Sequence, residues 1–143
     1  MKILLISLLF AFATPVVWNG NITTVLKQAK SSDKNVLINF SGSDWCGPCI
    51  RLKKEIFESE AFTDYASKNL LLVRADFPRQ KKNKPAAEQI KLNEALAEKY
   101  NPAGKFPYTL LVDENGKVLK SWDGLPKATA PEFVKEISKF DSK

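Results

Sequence analysis

The chain's two cysteines, Cys46 and Cys49, stand three residues apart, after a short apolar run and at the head of a helix-patterned stretch. Paired locally, they leave no thiol for a bridge between distant segments, so the fold must stand on its hydrophobic core. A chain of 143 residues, 44% of them apolar, has enough material for that core and fits one ordinary domain. The same figures exclude a disordered chain, a Gly/Pro-repeat fibre and a disulfide-dense miniprotein. There is no histidine. That excludes His-based acid/base catalysis, a Ser-His-Asp triad and any histidine metal ligand. A zinc site would need two further Cys or His ligands, so neither metal nor other cofactor is expected.

The first residues read as an address. Met1-Lys2 is a positive start, Ile3 to Ala13 is apolar apart from Ser7, and Ala11-Phe12-Ala13 has the small-x-small form of a cleavage site. We expect a signal peptide over residues 1–13 and a domain over residues 14–143. The alternatives are an uncleaved anchor or a buried N-terminal helix. The run is short for a transmembrane span. The net charge of +6 falls by one with Lys2 and does not imply nucleic acid. The expected location is the periplasm or the exterior.

The remaining pattern is α/β. Val16 to Trp18 suggests a short edge strand, and Ile22 to Lys30 a helix with Ile22, Val25, Leu26 and Ala29 on one face. Val36 to Phe40 is a compact buried strand. A helix from Cys46 or Pro48 to about Ser59 carries Cys49, Leu52 and Ile56 along one stripe. A further helical segment, Ser59 to Asn69, precedes a strand, Leu70 to Phe77. Pro78 to Lys84 is a basic loop, and Ala86 to Tyr100 a helix facing inward through Leu92, Leu96 and Tyr100. Tyr108 to Val112 and Lys117 to Trp122 flank Asn115-Gly116, a hairpin signal. Thr129 to Glu132 is a capping box opening a last helix with Phe133, Val134, Ile137 and Phe140 buried. The order implies parallel pairing first and antiparallel pairing later, a mixed central sheet flanked by helices.

Chemistry concentrates in Trp45-Cys46-Gly47-Pro48-Cys49. Cysteines three apart at a helix start can close a small disulfide ring and reopen it. Cys46 lies where free backbone N–H groups and the positive helix end favour a thiolate, which makes it the nucleophile. Cys49, one turn on, can resolve the mixed disulfide. Pro48 suits the first helical turn and Gly47 allows close approach. An inert structural disulfide is the alternative.

This pentapeptide resembles the active site of the thioredoxin family residue for residue, with the strand before it and the helix after it in that fold's places. Phe106-Pro107-Tyr108-Thr109 resembles the family's cis-proline segment, and Asp123-Gly124 its groove glycine. The resemblance covers roughly Val36 to Phe140. It implies a thioredoxin fold, a cis Pro107, and a substrate groove formed by Trp45, Gly47, Pro48, Phe106, Pro107 and Gly124. Trp45 as core packing and Pro107 as a strand-entry proline are the plainer readings.

Three features depart from the family. Asn39 replaces a buried aspartate that accepts the proton of the resolving cysteine, and an amide cannot take that proton. The turn Ser41 to Asp44 is a residue longer; Asp44 either supplies part of the missing carboxylate function or is a solvated turn residue. The stretch Phe77 to Glu98 is longer than its thioredoxin counterpart and holds Arg79, Lys81, Lys82 and Lys84. That run is either a solvated loop or a docking site for an acidic partner.

The Gly-Pro dipeptide resembles reducing members, and no histidine between the cysteines stabilises a reduced thiolate. We therefore expect a monomeric thiol:disulfide reductase acting on cysteine pairs of envelope proteins, with electrons from a membrane donor. The alternatives are an oxidase or isomerase with the same pair, or a non-catalytic peptide-binding module.

Overall fold

The computed structural model describes residues 15–141, and the expected signal peptide lies outside the described residues. Its strands are β1 (Trp18–Asn19), β2 (Asn35–Ser41), β3 (Leu70–Asp76), β4 (Tyr108–Val112) and β5 (Val118–Asp123). They form one sheet in the order β1-β3-β2-β4-β5. The pairs β1–β3 and β2–β3 are parallel, while β2–β4 and β4–β5 are antiparallel. The mixed α/β sheet read from the sequence is what the chain adopts.

The central strand β2 is buried along its whole length because helices cover both faces of the sheet. On one face, α2 (Gly47–Leu52), α3 (Glu60–Asn69) and α5 (Ala130–Ser138) pack against Leu37, Leu72, Leu111 and Trp122. Phe57, Phe62, Phe133 and Trp122 form a connected aromatic cluster there, with ring centroids 4.9 to 6.4 Å apart. On the other face, α1 (Ile22–Ser32) and α4 (Ala87–Tyr100) cover Val36, Ile38, Phe40, Val73, Leu110 and Val112. Each large side chain so enclosed contributes about 1.5–3 kcal/mol relative to exposure.

Local chemistry sets the element ends. Asn21 caps α1 by accepting from the Thr23 and Thr24 amides. Thr129 and Glu132 form the expected capping box on α5. Between β4 and β5, the Asp113 carboxylate accepts from the Asn115 and Lys117 amides, and Gly116 takes a positive φ.

Two sequence expectations change. The helix expected to run unbroken to Ser59 gives way after Leu52 to a π-helical turn, Lys53–Phe57, in which the Glu58 amide donates to the Lys53 carbonyl at 2.9 Å. The wider turn places two successive residues, Ile56 and Phe57, in the core. In α4, Leu92 is 40% exposed and its neighbour Asn93 is buried instead. The Asn93 amide donates to the Asp76 carbonyl at 3.0 Å, supplying a partner to a backbone acceptor at the end of β3.

Candidate redox site

Cys46 and Cys49 are joined as a disulfide, with Cα atoms 5.2 Å apart. The pair stands where β2 hands over to α2. The turn closes when the Cys46 amide donates to the Gly42 carbonyl at 2.9 Å. Cys46 is the N-cap of α2, in extended conformation, and its Sγ accepts from the Cys49 amide at 3.2 Å. That contact would serve a Cys46 thiolate better than a neutral sulfur. Pro48 occupies the first turn of α2, where its missing N–H costs nothing.

Exposure hardly separates the two sulfurs: Cys46 is 5% exposed and Cys49 3%. Their surroundings do. Cys49 Sγ lies 3.5 Å from the Gly42 amide. It borders a cavity of about 320 Å³ with Ser41, Ser43, Ile50, Lys53, Arg74 and Asp76. Asp76 is the one carboxylate lining that cavity, and it accepts from the Ser43 amide at 2.9 Å and the Ser43 hydroxyl at 2.5 Å. Arg74 shares the cavity, its guanidinium 4.0 Å above the Trp18 ring and its Nε buried without a partner. Burial pulls the Arg74 pKa below the usual guanidinium range, against the attraction of Asp76 and Glu58.

Asn39, at the position of the family aspartate, is buried and donates to the Thr109 hydroxyl at 3.1 Å. Asp44 does not line the Cys49 cavity. Its carboxylate accepts from the Asn83 side-chain amide at 3.0 Å and the Arg79 and Gln80 backbone amides at 2.8 and 2.9 Å. These bonds, the Asn83 contact foremost, hold its pKa below the ordinary carboxylate value.

The other expected groove residues converge on the same end of the sheet. The Phe106–Pro107 peptide is cis. Because Phe40 pairs with Tyr108, Pro107 falls beside Ser41, where the cysteine turn begins. Gly124 donates to the Pro107 carbonyl at 2.9 Å from a backbone with φ of 83°, a conformation that glycine takes without strain. Trp45 meets Phe106 edge-on at 5.5 Å and donates from Nε1 to the Phe77 carbonyl at 2.8 Å. Gly47 and Pro48 are exposed, and a Cβ added at Gly47 would meet nothing within 4 Å. Gly47 therefore answers no internal crowding and leaves open space over the pair.

Four contributors carry no signal in the sequence: Gly42, Arg74, Asp76 and Phe77. A Cβ at Gly42 would lie 2.3 Å from the Trp45 ring, so only glycine lets that indole lie flat on the turn. Phe77 stacks edge-on against Phe106 at 5.5 Å, and Asp76 and Arg74 reach the cavity from β3. No spacing rule links positions 74–77 with 46–49; only the parallel pairing of β2 with β3 does.

A thioredoxin-like domain model matches residues 22–140. The chain belongs to the thioredoxin-like family. It is 36% identical over 94 residues to "Disulfide bond reductase DsbH" of Chlamydia pneumoniae, a match spanning 66% of this chain and 55% of that protein. It is 33% identical over 86 residues to "Thioredoxin-related protein DsbJ" of the same organism, spanning 59% of this chain and 24% of the relative. A solved DsbH oxidoreductase superposes with a TM-score of 0.80 at 28% identity, covering 89% of this chain and 85% of that one. The segments matched in sequence span about half the length of DsbH and about a quarter of DsbJ.

Proposed function

We propose that this thioredoxin-like protein is a thiol:disulfide oxidoreductase working as a reductase of protein disulfides in the cell envelope. The reading rests on the Cys46–Cys49 disulfide at the start of α2, beside the cis Pro107. In the reduced protein the Cys46 thiolate attacks one sulfur of a client disulfide. A mixed disulfide forms, and the client's other sulfur leaves as a thiolate and takes a proton. Cys49 loses its proton and attacks Cys46 Sγ, so the client's remaining cysteine departs reduced. Two electrons pass to the client, and the protein is left as the disulfide described above.

Asn39 gives Cys49 no base. We assign the proton to Asp76, across a cavity large enough for water, with the Arg74 charge beside it favouring the Cys49 thiolate. Trp45, Gly47, Pro48, Phe106, Pro107 and Gly124 form the groove for the client backbone. The absence of histidine and the relative named as a disulfide bond reductase support the reducing direction. The signal-peptide pattern over residues 1–13 supports export, and a reductant outside the cytoplasm needs a donor of electrons such as a membrane disulfide transporter. We take the domain, residues 14–143, to act as a monomer.

Insulin reduction by wild type and by Cys46→Ser tests the chemistry: the variant should be inactive. Equal rates would leave only peptide binding. A Cys49→Ser variant should accumulate mixed disulfides with its clients. The potential of the pair, measured against glutathione, should lie toward that of thioredoxin, about −270 mV; a value near −120 mV, as in strong oxidases, would reverse the direction.

A further inference from the structure

We propose that the long segment after β3 carries a second client subsite, which takes an acidic stretch of the client together with a neighbouring apolar side chain. The inference rests on the reductase reading and names the clients it favours. Arg79, Lys81, Lys82 and Lys84 are all exposed. None of the four forms an ion pair among the described residues. The acidic groups that reach this loop and its base are already engaged: Asp44 holds the loop backbone and Asp76 holds Ser43. Glu88, on the first turn of α4, leaves the loop net positive.

A run of cations that only solvates a surface needs no fixed place. This one has a fixed place. Asp44 fastens the loop to the residue next to Trp45, and a short 3₁₀ turn, Lys81–Asn83, keeps it compact. The Arg79 guanidinium lies 3.9 Å above the Trp45 ring. Beside it Trp45, Phe106 and Phe77, all half-buried, form one aromatic cluster, with the Phe106 ring 5.5 Å from each of the other two and Trp45 Nε1 donating to the Phe77 carbonyl. At Phe77 opens a mostly apolar cavity of about 150 Å³ walled by Pro78, Pro85 and Ile90, with Lys84, Asn93 and Asp76 also lining it; the Asp76 carboxylate is taken up by Ser43 and the Asn93 amide by the Asp76 carbonyl. The path thus leads from the cysteines over an aromatic surface to an apolar recess bordered by unpaired positive charge. An extended peptide with its cysteine at Cys46 would follow it. Its apolar side chain would enter the recess and its carboxylates would meet Arg79 and the lysines. Exposed pairs of this kind contribute little each, but together they raise the encounter rate and choose among partners.

Two peptides test the subsite. Both carry serine in place of cysteine and one leucine, followed by three glutamates in the first and three lysines in the second. Binding to the full chain is read by tryptophan fluorescence, so it does not depend on redox chemistry. The acidic peptide should bind about tenfold more tightly at low ionic strength, and the advantage should shrink sharply in 0.5 M salt. The triple variant Lys81→Glu, Lys82→Glu, Lys84→Glu should exchange the preference. Replacing the leucine by alanine should weaken binding about tenfold, the loss expected when one buried aliphatic contact is removed. Equal binding of the two peptides by wild type, or a preference that survives the triple variant, overturns the proposal. An unchanged affinity after the leucine substitution removes the recess from it. If these peptides bind as expected while insulin is not reduced, the reductase reading fails and the subsite stands.

Discussion

The turn that holds the cysteines and the loop that holds the cations lie side by side but are secured by opposite means. The cysteine turn grows out of β2, which is buried along its length, and runs into α2, whose Cys49 and Leu52 face the core. Its position is set by the packing of the whole aromatic face. The cation loop has no buried residue between Pro78 and Lys84 and is held to the turn by one half-exposed carboxylate with its hydrogen bonds and by the Arg79 guanidinium over the Trp45 ring. Reacting sulfurs need fixed geometry, which a packed core provides. Recognition of charged clients needs cations that stay in water, where they can be altered without loss of the fold. If the loop selects clients as proposed, the contrast separates chemistry from selection within one end of the sheet.

The strongest test of this contrast is Phe133→Ala. Phe133 is fully buried and touches Phe57, Phe62 and Trp122, so its loss should cost about 3–5 kcal/mol in urea unfolding. A cost below about 1 kcal/mol would mean that the core does not support the turn as described. Next in size is the resolving step. Asp76→Asn should slow release of a trapped mixed disulfide about tenfold and change its pH–rate profile. Asn39→Asp should speed release by restoring a carboxylate at that position. If neither substitution alters the rate, the proton passes directly to solvent.

Asp44→Asn should leave thermal stability nearly unchanged while weakening the preference for acidic peptides. The same contact carries a pH dependence of known sign. The folded Asp44 pKa lies below its unfolded value, so its stabilisation is complete above the ordinary carboxylate range and is lost as pH falls through the lowered value. The preference for acidic peptides should therefore be flat in pH near neutrality as far as Asp44 is concerned. The smallest effect is expected at Arg51, whose ion pair with Glu55 is largely exposed. Arg51→Ala should change stability by no more than about 0.5 kcal/mol, and a larger loss would show that surface charge supports the cysteine helix after all.

Much of the fold was legible because its signals are local. The apolar run Val36 to Phe40, the Asn115-Gly116 turn and the Thr129 to Glu132 capping box each carry their instruction within a few residues. The failures came where neighbours overrode a local pattern. Leu92 gave up the inner face because a strand-end carbonyl required the Asn93 amide, and the π turn after Leu52 arose from the placing of both Ile56 and Phe57 in one core.

By itself, the sequence determined the redox pair, its place between a strand and a helix, and the absence of any histidine to assist it. It also placed four cations in one short stretch, without saying what they face. The tertiary structure decided their setting. Parallel pairing of β2 with β3 carried Asp76 and Arg74 to the cavity beside Cys49, and Asp44 turned away from that cavity to clasp the basic loop against Trp45. The reason is physical: spacing along a chain fixes only what neighbours within a turn can do. Which distant side chains share a cavity or a salt-sensitive surface depends on the register of strands, and register is set by burying the whole sheet at once.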